Sequence, residues 1–543
     1  MPTTTSVLIV GGSLNGLTAA LLLARRNVAC IVVERHARTA IQYKFRGISA
    51  RSMEIYRAAG IEPQIRRCDG IDEKMAQVAR KANLADPETV WQGVPGVDVV
   101  DLSPTTAAVC DQDQLEPILK AEAERLGADI RFNTELVSFE QDERGIRGRI
   151  RDRASGNEDV VSAAYLIAAD GTNGTTRDAL GIERHGPGVL QHWMNVIFET
   201  DLAPVIDGRP LRAIFLTDIN GTFVPRAGGR WLMAVQYVPE RGERVEDFTD
   251  ERCRDLIRRG AGRSDVHVGV VDVRPWEAAA LVAERFVEGR AFLVGDAAHV
   301  MPPTGGFGGN TGIQDAHNLA WKLEAVLRGQ AGPPLLDSYD QERRPVAERT
   351  LAQALARLQA WFKDPSKRLP PAEPIIDDYA VTFGYCYPAG AFVTEAPAPS
   401  GRRASSEISS SEAFEHPREP SGRPGSRAPH VIVEFDGTRT STTDLFGDHW
   451  TLVAGPRGAS WLDAAANADQ AGPFDLRAYR IGEQLRDVEE RWARAFGVND
   501  DDAVLIRPDG FIAWRSRGKR GDSRRSLTEA LDYLSFRHVL TPR

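Results

Sequence analysis

Near its N-terminus the chain reads VLIVGGSLNGLTAALLLARRNVACIVVERH. An apolar run, Val7 to Val10, stops at a glycine pair. An apolar helical pattern follows, and a second apolar run closes on an acid, Glu34. Strand, glycine turn, helix and strand in that order make a βαβ unit with parallel strands, and the glycine turn is where such a unit holds a dinucleotide. In a G-x-G-x-x-G loop the first glycine makes the turn, the second admits the pyrophosphate, and the third lets helix lie on strand. Gly11 and Gly16 take the first and third places, and Ser13 stands in the second. Serine is small and its hydroxyl can donate to phosphate, so the motif is weakened without being broken. The N–H groups of Ser13, Leu14 and Asn15 stand at the helix start, facing the anion. Glu34, followed by Arg35, lies where a carboxylate accepts from ribose hydroxyls. On this loop alone, a plain glycine turn in an ordinary βαβ unit remains the alternative.

The remaining chain limits what this loop can serve. Its 543 residues are enough for two to four domains. The net charge of −9 offers no basic surface to nucleic acid or anionic lipid. The five cysteines are scattered, with no CxxC, which reads as reduced thiols in a cytoplasmic protein and not as a disulfide frame or zinc site. No signal peptide is expected from the opening residues, and the longest apolar helix, Leu17 to Ala24, is too short to span a bilayer. Neither a membrane nor a metal is expected.

Strand and helix alternate up to about residue 180, which implies a parallel sheet. From 181 to 275, strand-like segments such as HWMNVIFETDL, LRAIFLTDI, GTFVPRA and RWLMAVQYVP are separated by turn residues and read as an inserted antiparallel sheet. Residues 276–395 return to strand, glycine-rich loop and helix. Residues 396–429, rich in Ser, Pro, Gly and charge, read as a linker or surface meander. Residues 430–543 form a separate α/β unit, with HWTLVAG, FDLRAYRIG and AVLIRPDGFIAWRS as strands.

Two further segments complete the picture. In AAYLIAADGTNGTTRDALGI a strand ends at Asp170-Gly171 before a helix. In GRAFLVGDAAHVMPPTGGFGGNTGIQDAHNLAWKLEAVL a strand ends at Gly295-Asp296, a Pro- and Gly-rich loop follows, and a helix begins near Asn310. Glycine loop, acid, DG and GD-A-A-H-x-x-P-P-x-G-G, in that order, resemble the FAD-dependent aromatic hydroxylases, the group A flavoprotein monooxygenases with the para-hydroxybenzoate hydroxylase fold. PSGRPGSRAPHV, STTDLFGDHWTLVAG and LIRPDGFIAWR extend the resemblance to hydroxylases of aromatic polyketide biosynthesis, of the aklavinone and tetracenomycin types.

The resemblance implies an α/β fold. A Rossmann-like FAD-binding domain, 1–180 with 276–395, carries an inserted substrate sheet, and a thioredoxin-like C-terminal domain follows. With no cysteine after Cys386, that last domain lacks dithiol chemistry. FAD would be bound non-covalently, with NADPH or NADH docking transiently as co-substrate. Asp296 then accepts from the ribityl hydroxyls, and Asp170 serves both nucleotides. Pro303 and Gly308 line the flavin loop, and the N–H groups of Gly309 and Asn310 face the ring at a positive helix end. CDQDQLEPIL resembles Gln-x-x-Leu-Glu and puts Gln112 near the ribityl-phosphate, while the backbone at Leu136 meets adenine. YKFRGISARSMEIY departs from the family pattern: Lys44 replaces an arginine and Arg46 is extra, so either serves the cofactor.

The implied reaction is hydroxylation of an electron-rich ring by O2 through a flavin C4a-hydroperoxide. The substrate is a polycyclic aromatic polyketide, and a homodimer is left open. No catalytic base is assignable. His299 falls within the flavin turn and reads as structural. In RWLMAVQYV, Trp231, Met233 and Tyr237 share one strand face and Gln236 the opposite one; either face, with Pro303, lines the pocket. Baeyer–Villiger insertion, epoxidation, antibiotic inactivation and a non-catalytic flavin-binding role remain alternatives. The halogenase pattern W-x-W-x-I-P is absent.

Overall fold

The computed structural model describes residues 3–40, 45–68, 77–92, 99–202, 211–361, 371, 373–395, 413–517 and 522–537. Its first sheet is built on Thr3–Val10, whose apolar end is fully buried. That strand pairs in parallel with Cys30–Glu34 on one side and Glu158–Ala168 on the other. Asp129–Phe132 and Ala291–Leu293 extend the parallel part outward. A meander, Thr134–Asp142 and Gly145–Asp152, adds antiparallel strands beside Glu158–Ala168. The helix Leu14–Arg25 is apolar on nearly every side because it is enclosed by the sheet and by the helices Gln112–Arg125 and Phe307–Leu327.

The second sheet is centred on two long strands, Arg184–Glu199 and Gly269–Ala283, which pair antiparallel through most of their lengths. Arg230–Tyr237, Gly221–Pro225 and Leu211–Leu216 follow as a meander. Two departures from the sequence reading appear here. Leu211–Leu216 pairs in parallel with Gln77–Lys81, so the sheet is mixed and recruits strands from the region read as the first domain. The sequence hides these strands because QVARK and VWQ are too short to show a two-residue period. The boundary at 275/276 also falls inside a single strand, Gly269–Ala283.

The C-terminal unit runs strand, helix, strand with Trp450–Ala454 parallel to Leu476–Arg480, then an antiparallel hairpin, Ala503–Ile506 and Ile512–Arg515. The helices Ala459–Ala471 and Ser523–Leu534 pack together on this sheet. The hairpin turn, Arg507 to Gly510, inserts against the flank of helix Phe307–Leu327. There, fully buried Arg507 bonds Glu342 Oε1 at 2.7 Å and Asp509 Oδ2 at 2.5 Å, and Lys322 Nζ reaches Glu342 Oε2 at 2.9 Å. Two cations and two carboxylates thus neutralise one another away from water. Trp321 meets Trp450 edge-on across the same junction, with ring centroids 5.6 Å apart.

Replacing Arg507 by Met would leave Glu342 and Asp509 short of their shared cation in a buried site. Breaking a buried pair this way costs about 3–5 kcal/mol, so the urea midpoint of the full chain should drop clearly. Arg525→Ala, which removes the solvent-exposed Arg525–Glu529 pair, should leave the midpoint within error of wild type. Equal midpoints for Arg507→Met and wild type would show that the cluster does not hold the C-terminal unit in place.

Candidate active site

Four chain segments converge above the ends of the parallel strands. The first is the loop after Thr3–Val10. Gly11 has φ +103°, and a Cβ there would lie 2.3 Å from the Ala169 carbonyl oxygen. Only glycine lets this turn pass so close to the Asp170 segment. Gly16 sits against the Gly11 carbonyl, which brings the helix onto the strand.

Ser13, in the place of the second glycine, donates its hydroxyl to Glu116 Oε1 at 2.7 Å, and the Leu14 N–H donates to the same oxygen at 3.0 Å. Glu116 also accepts from Gln112 Nε2 at 2.6 Å and from the Ala40 N–H at 2.7 Å. Glu116 is fully buried and gathers the loop, the helix start and Gln112 into one unit. It is the closing acid of the Gln-x-x-Leu-Glu match, from which only Gln112 was given a role. The available signal is its i,i+4 spacing from Gln112, which sets both side chains on one helix face.

Glu34 closes its strand as read. Its Oε2 accepts from the Gly12 N–H at 2.7 Å and its Oε1 from the His36 N–H at 2.8 Å. Arg35 is exposed, and Leu136 is half-buried in the meander. Asp170 accepts from the N–H and hydroxyl of Thr176 at 3.1 and 2.8 Å. Burial pushes the Asp170 carboxyl up, opposed by those hydrogen bonds.

That Asp170 turn, after the strand Glu158–Ala168, is the second segment, and the third is Gly295–Ala297. Gly295 has φ +62°, and a Cβ there would meet the Asn15 amide at 1.9 Å, so this turn packs directly on the first loop. Asp296 is exposed at its tip, and Pro303 is exposed on the following loop. The helix expected near Asn310 starts earlier, at Phe307, with Gly306 as its N-cap. An intrahelical bond therefore occupies the Asn310 N–H, and the free donors belong to Phe307, Gly308 and Gly309. Asn310 acts through its side chain instead. Its Oδ1 accepts from the Ser49 N–H at 2.9 Å, and its Nδ2 donates to the Gly47 carbonyl at 3.0 Å.

That pair of bonds ties in the fourth segment, Phe45 to Ser49. Lys44 lies outside the described residues. Arg46 donates to the Pro225 carbonyl at 2.9 Å and lies 3.5 Å from Asp111, which is also paired with Arg226. These contacts join the segments around Arg46 and Asp111 to the second sheet. His299 is fully buried, with Nε2 at 2.8 Å from Asp315 Oδ2; Arg343 Nε holds the other Asp315 oxygen at 2.8 Å. Arg343 and His299 hold the Asp315 carboxyl below its usual range against the opposing effect of burial.

Three buried acceptors among these segments, Asn15 Oδ1, Gln112 Oε1 and Asp170 Oδ1, have no hydrogen-bond partner among the described residues. A buried acceptor left unpaired costs about 1–3 kcal/mol. Unused acceptors beside bare helix N–H groups suit a ligand carrying both hydroxyls and anionic groups, as FAD does.

The second sheet settles which of its faces is core. Trp231, Met233 and Tyr237 are buried with Met194, Val196 and Phe198 under the helix Asp250–Ala261, whose Cys253, Ile257 and Ala261 cover them. These three are therefore core and not pocket residues. The amphipathic helix closes that face, which strand alternation alone does not reveal. The opposite face carries half-buried Gln236, which accepts from Asn220 Nδ2 at 3.3 Å. It also carries Trp193 and Trp276, stacked at 5.8 Å and 13°, with Trp276 Nε1 donating to Asn195 Oδ1 at 2.7 Å. Neither tryptophan was singled out from the sequence, although HWMNV and VRPWE place one in each long strand.

Comparison with known proteins agrees with this geometry. Residues 4–354 match the FAD binding domain family, and residues 421–534 match the family described as aromatic-ring hydroxylase, C-terminal. A putative polyketide hydroxylase of Streptomyces halstedii is 41% identical, over 94% of this chain and 93% of its own. A 4-methyl-5-nitrocatechol 5-monooxygenase of a Burkholderia species is 40% identical, over 97% and 96%. The crystal structure of a ternary complex of aklavinone-11 hydroxylase with FAD and aklavinone matches with a TM-score of 0.90 at 37% identity, covering 98% of this chain and 99% of that one. No helix among the described residues is long and apolar enough to cross a membrane. From its first glycine loop to its last strand pair, the chain belongs to the FAD-dependent aromatic-ring hydroxylases.

Proposed function

We propose that this protein hydroxylates a fused-ring aromatic polyketide, using FAD, O2 and NADPH or NADH. The observation that carries the substrate class is the stacked Trp193–Trp276 pair, Trp193 buried and Trp276 half-buried, on the face of the second sheet opposite the helix Asp250–Ala261. A flat ring system gains area and favourable stacking on such a platform, and relatives that share nearly the whole chain act on aromatic rings. Bound FAD supplies electron transfer from the nicotinamide and the activation of O2.

The chain's own residues bind, orient and shield. Backbone N–H groups of Ser13 and Asn15 would hold the pyrophosphate, Glu34 the ribose, Gln112 and Asp296 the ribityl chain, and Asp170 the nucleotide ends, whereas the Leu14 N–H, expected to join them, is taken by Glu116. The free N–H groups of Phe307, Gly308 and Gly309 would favour negative charge on the ring, through the positive end of their helix. Asn310 would fix the Gly47–Ser49 backbone along the ring edge. Gln236 and Asn195 supply polar contacts on the substrate face. The C-terminal unit is proposed as a thioredoxin-like fold without electron-transfer chemistry. Its strand–helix–strand, hairpin and final helix support this, as does the lack of any cysteine after Cys386. Five unbridged cysteines accord with a cytoplasmic location.

Two outcomes test the reading. Asp296→Ala should weaken FAD retention by about 1–3 kcal/mol, the cost of a missing hydrogen-bond acceptor, measured by flavin absorbance after gel filtration. Undiminished retention would remove Asp296 from the cofactor site. With labelled oxygen gas and a panel of fused-ring phenols and single-ring catechols, a fused-ring product should gain one labelled atom. Turnover of single-ring substrates alone would overturn the polyketide assignment, and label taken from water would overturn monooxygenation.

A further inference from the structure

Gln191, Trp193 and Asn195 are alternate residues of the strand Arg184–Glu199 and share one face of the second sheet, the face opposite the helix Asp250–Ala261. Trp193 is in register with Trp276 of the strand Gly269–Ala283, so the stacked tryptophans have an amide side chain on either side along the strand. Each indole N–H holds one amide. Trp193 Nε1 donates to Gln191 Oε1 at 3.2 Å, and Trp276 Nε1 donates to Asn195 Oδ1 at 2.7 Å. An indole N–H only donates, so it fixes which way each amide is turned: oxygen toward the indole, NH2 group away from it. Gln191 is 8% exposed and Asn195 7%, yet neither NH2 group has a hydrogen-bond partner among the described residues. The strand register offers none. Ala278 lies opposite Gln191, and Asn195 lies between Ala234 and Arg274, whose side chains carry no acceptor. A buried donor left unpaired is costly, and two of them beside one aromatic platform mark a site for a ligand that supplies acceptors.

We propose that Gln191 and Asn195 are specificity-determining donors of the substrate face. Each gives an amide N–H to an oxygen of a flat ring system lying on Trp193 and Trp276, so the substrate must carry acceptor oxygens, carbonyl or phenolate, toward both ends of the platform. This rests on the fused-ring reading and narrows it to quinonoid or ionised phenolic rings.

Gln191 and Asn195 are four residues apart on one strand, roughly 13 Å at Cα, a span suited to a row of fused rings. The donors also discriminate by chemistry. A ring without oxygen at one end leaves a buried N–H unpaired. That loss lets a hydrogen-bonding site reject an analogue that an apolar slot would accept. A carbonyl or phenolate oxygen has no proton of its own to turn aside, and the charge of a phenolate strengthens the bond further. The tryptophans therefore do two things at once. Their faces carry the ring, and their N–H groups hold the amide oxygens so that the NH2 groups stay available to it.

The test uses the FAD-loaded full-length protein without any nicotinamide, in mildly alkaline buffer where an introduced carboxylate is ionised. Binding is followed by the change in flavin absorbance as a ligand is added. The probes are a dihydroxyanthraquinone, the dihydroxyanthracene that lacks its two carbonyls, and catechol. Asn195→Asp and Gln191→Glu keep the shape of each side chain and the oxygen that Trp276 or Trp193 holds, but put a carboxylate oxygen in place of the NH2 donor. The wild type should prefer the anthraquinone, and each variant should lower that preference about tenfold or more. Should one variant fail to load FAD, the other, at the opposite end of the tryptophan pair, carries the test. An unchanged preference in FAD-loaded variants would overturn the donor assignment and leave the fused-ring reading standing. Binding of catechol with neither fused-ring probe bound would overturn the fused-ring reading and the two-ended recognition with it.

Discussion

A helix whose first N–H groups are left bare has to be held from behind. Here that helix is Phe307–Leu327, and what holds it is charge. Asp315 and Lys322 lie along it, both fully buried, and neither is tolerable alone. Arg343 and His299 answer the first, and Glu342 answers the second. His299 comes from the short strand His299–Val300, and Glu342 and Arg343 are neighbours on the helix Ser338–Trp361, so the helix cannot rotate or slide without leaving an ion unpaired. The side chain of Asn310 fixes its leading end to the Gly47–Ser49 backbone. The glycine loops in front are thereby placed by a rigid support, although their own sequences favour freedom.

This arrangement is not a source of stability in the ordinary sense. Desolvation of each buried ion costs several kcal/mol, and pairing roughly repays it. What the network adds is a single permitted geometry. The C-terminal hairpin belongs to that geometry, because Arg507 bridges Glu342 and Asp509 while lying 5.3 Å from the Trp321 ring centroid. Arg51 and Arg427 extend the same logic, sharing Glu54 between the flavin unit and the tail. The tail is thus part of that helix's support, even without thiols of its own.

The parts of the site that were legible in sequence are those where backbone geometry restricts residue choice. Gly11 is needed because a side chain would strike Ala169, and Gly295 because one would strike Asn15. Such positions leave marks in any single sequence. Residues that act through tertiary partners leave almost none. Glu116 closes the Gln-x-x-Leu-Glu match, yet its work stays hidden until the fold sets it against Ser13 and Leu14. The alternation in RWLMAVQYV gives two equally plausible faces, and only the helix Asp250–Ala261 decides between them. The expected helix start at Asn310 missed by three residues because Gly306 caps from the left-handed region inside a run of glycines.

The second sheet has a consequence for how this enzyme can be re-engineered. Its strands come from three separate stretches, 77–92, 184–283 and 299–300. The inserted segment, lifted out alone, would leave Leu211–Leu216 with an open edge and Gly269–Ala283 without its partner at His299–Val300. An open edge invites pairing with other chains. This sheet is therefore not a portable cassette. A chimaera that exchanges this sheet between relatives must carry crossovers at all three places, and evolution faces the same restriction: the sheet diversifies by substitution in place and not by transfer of a contiguous module.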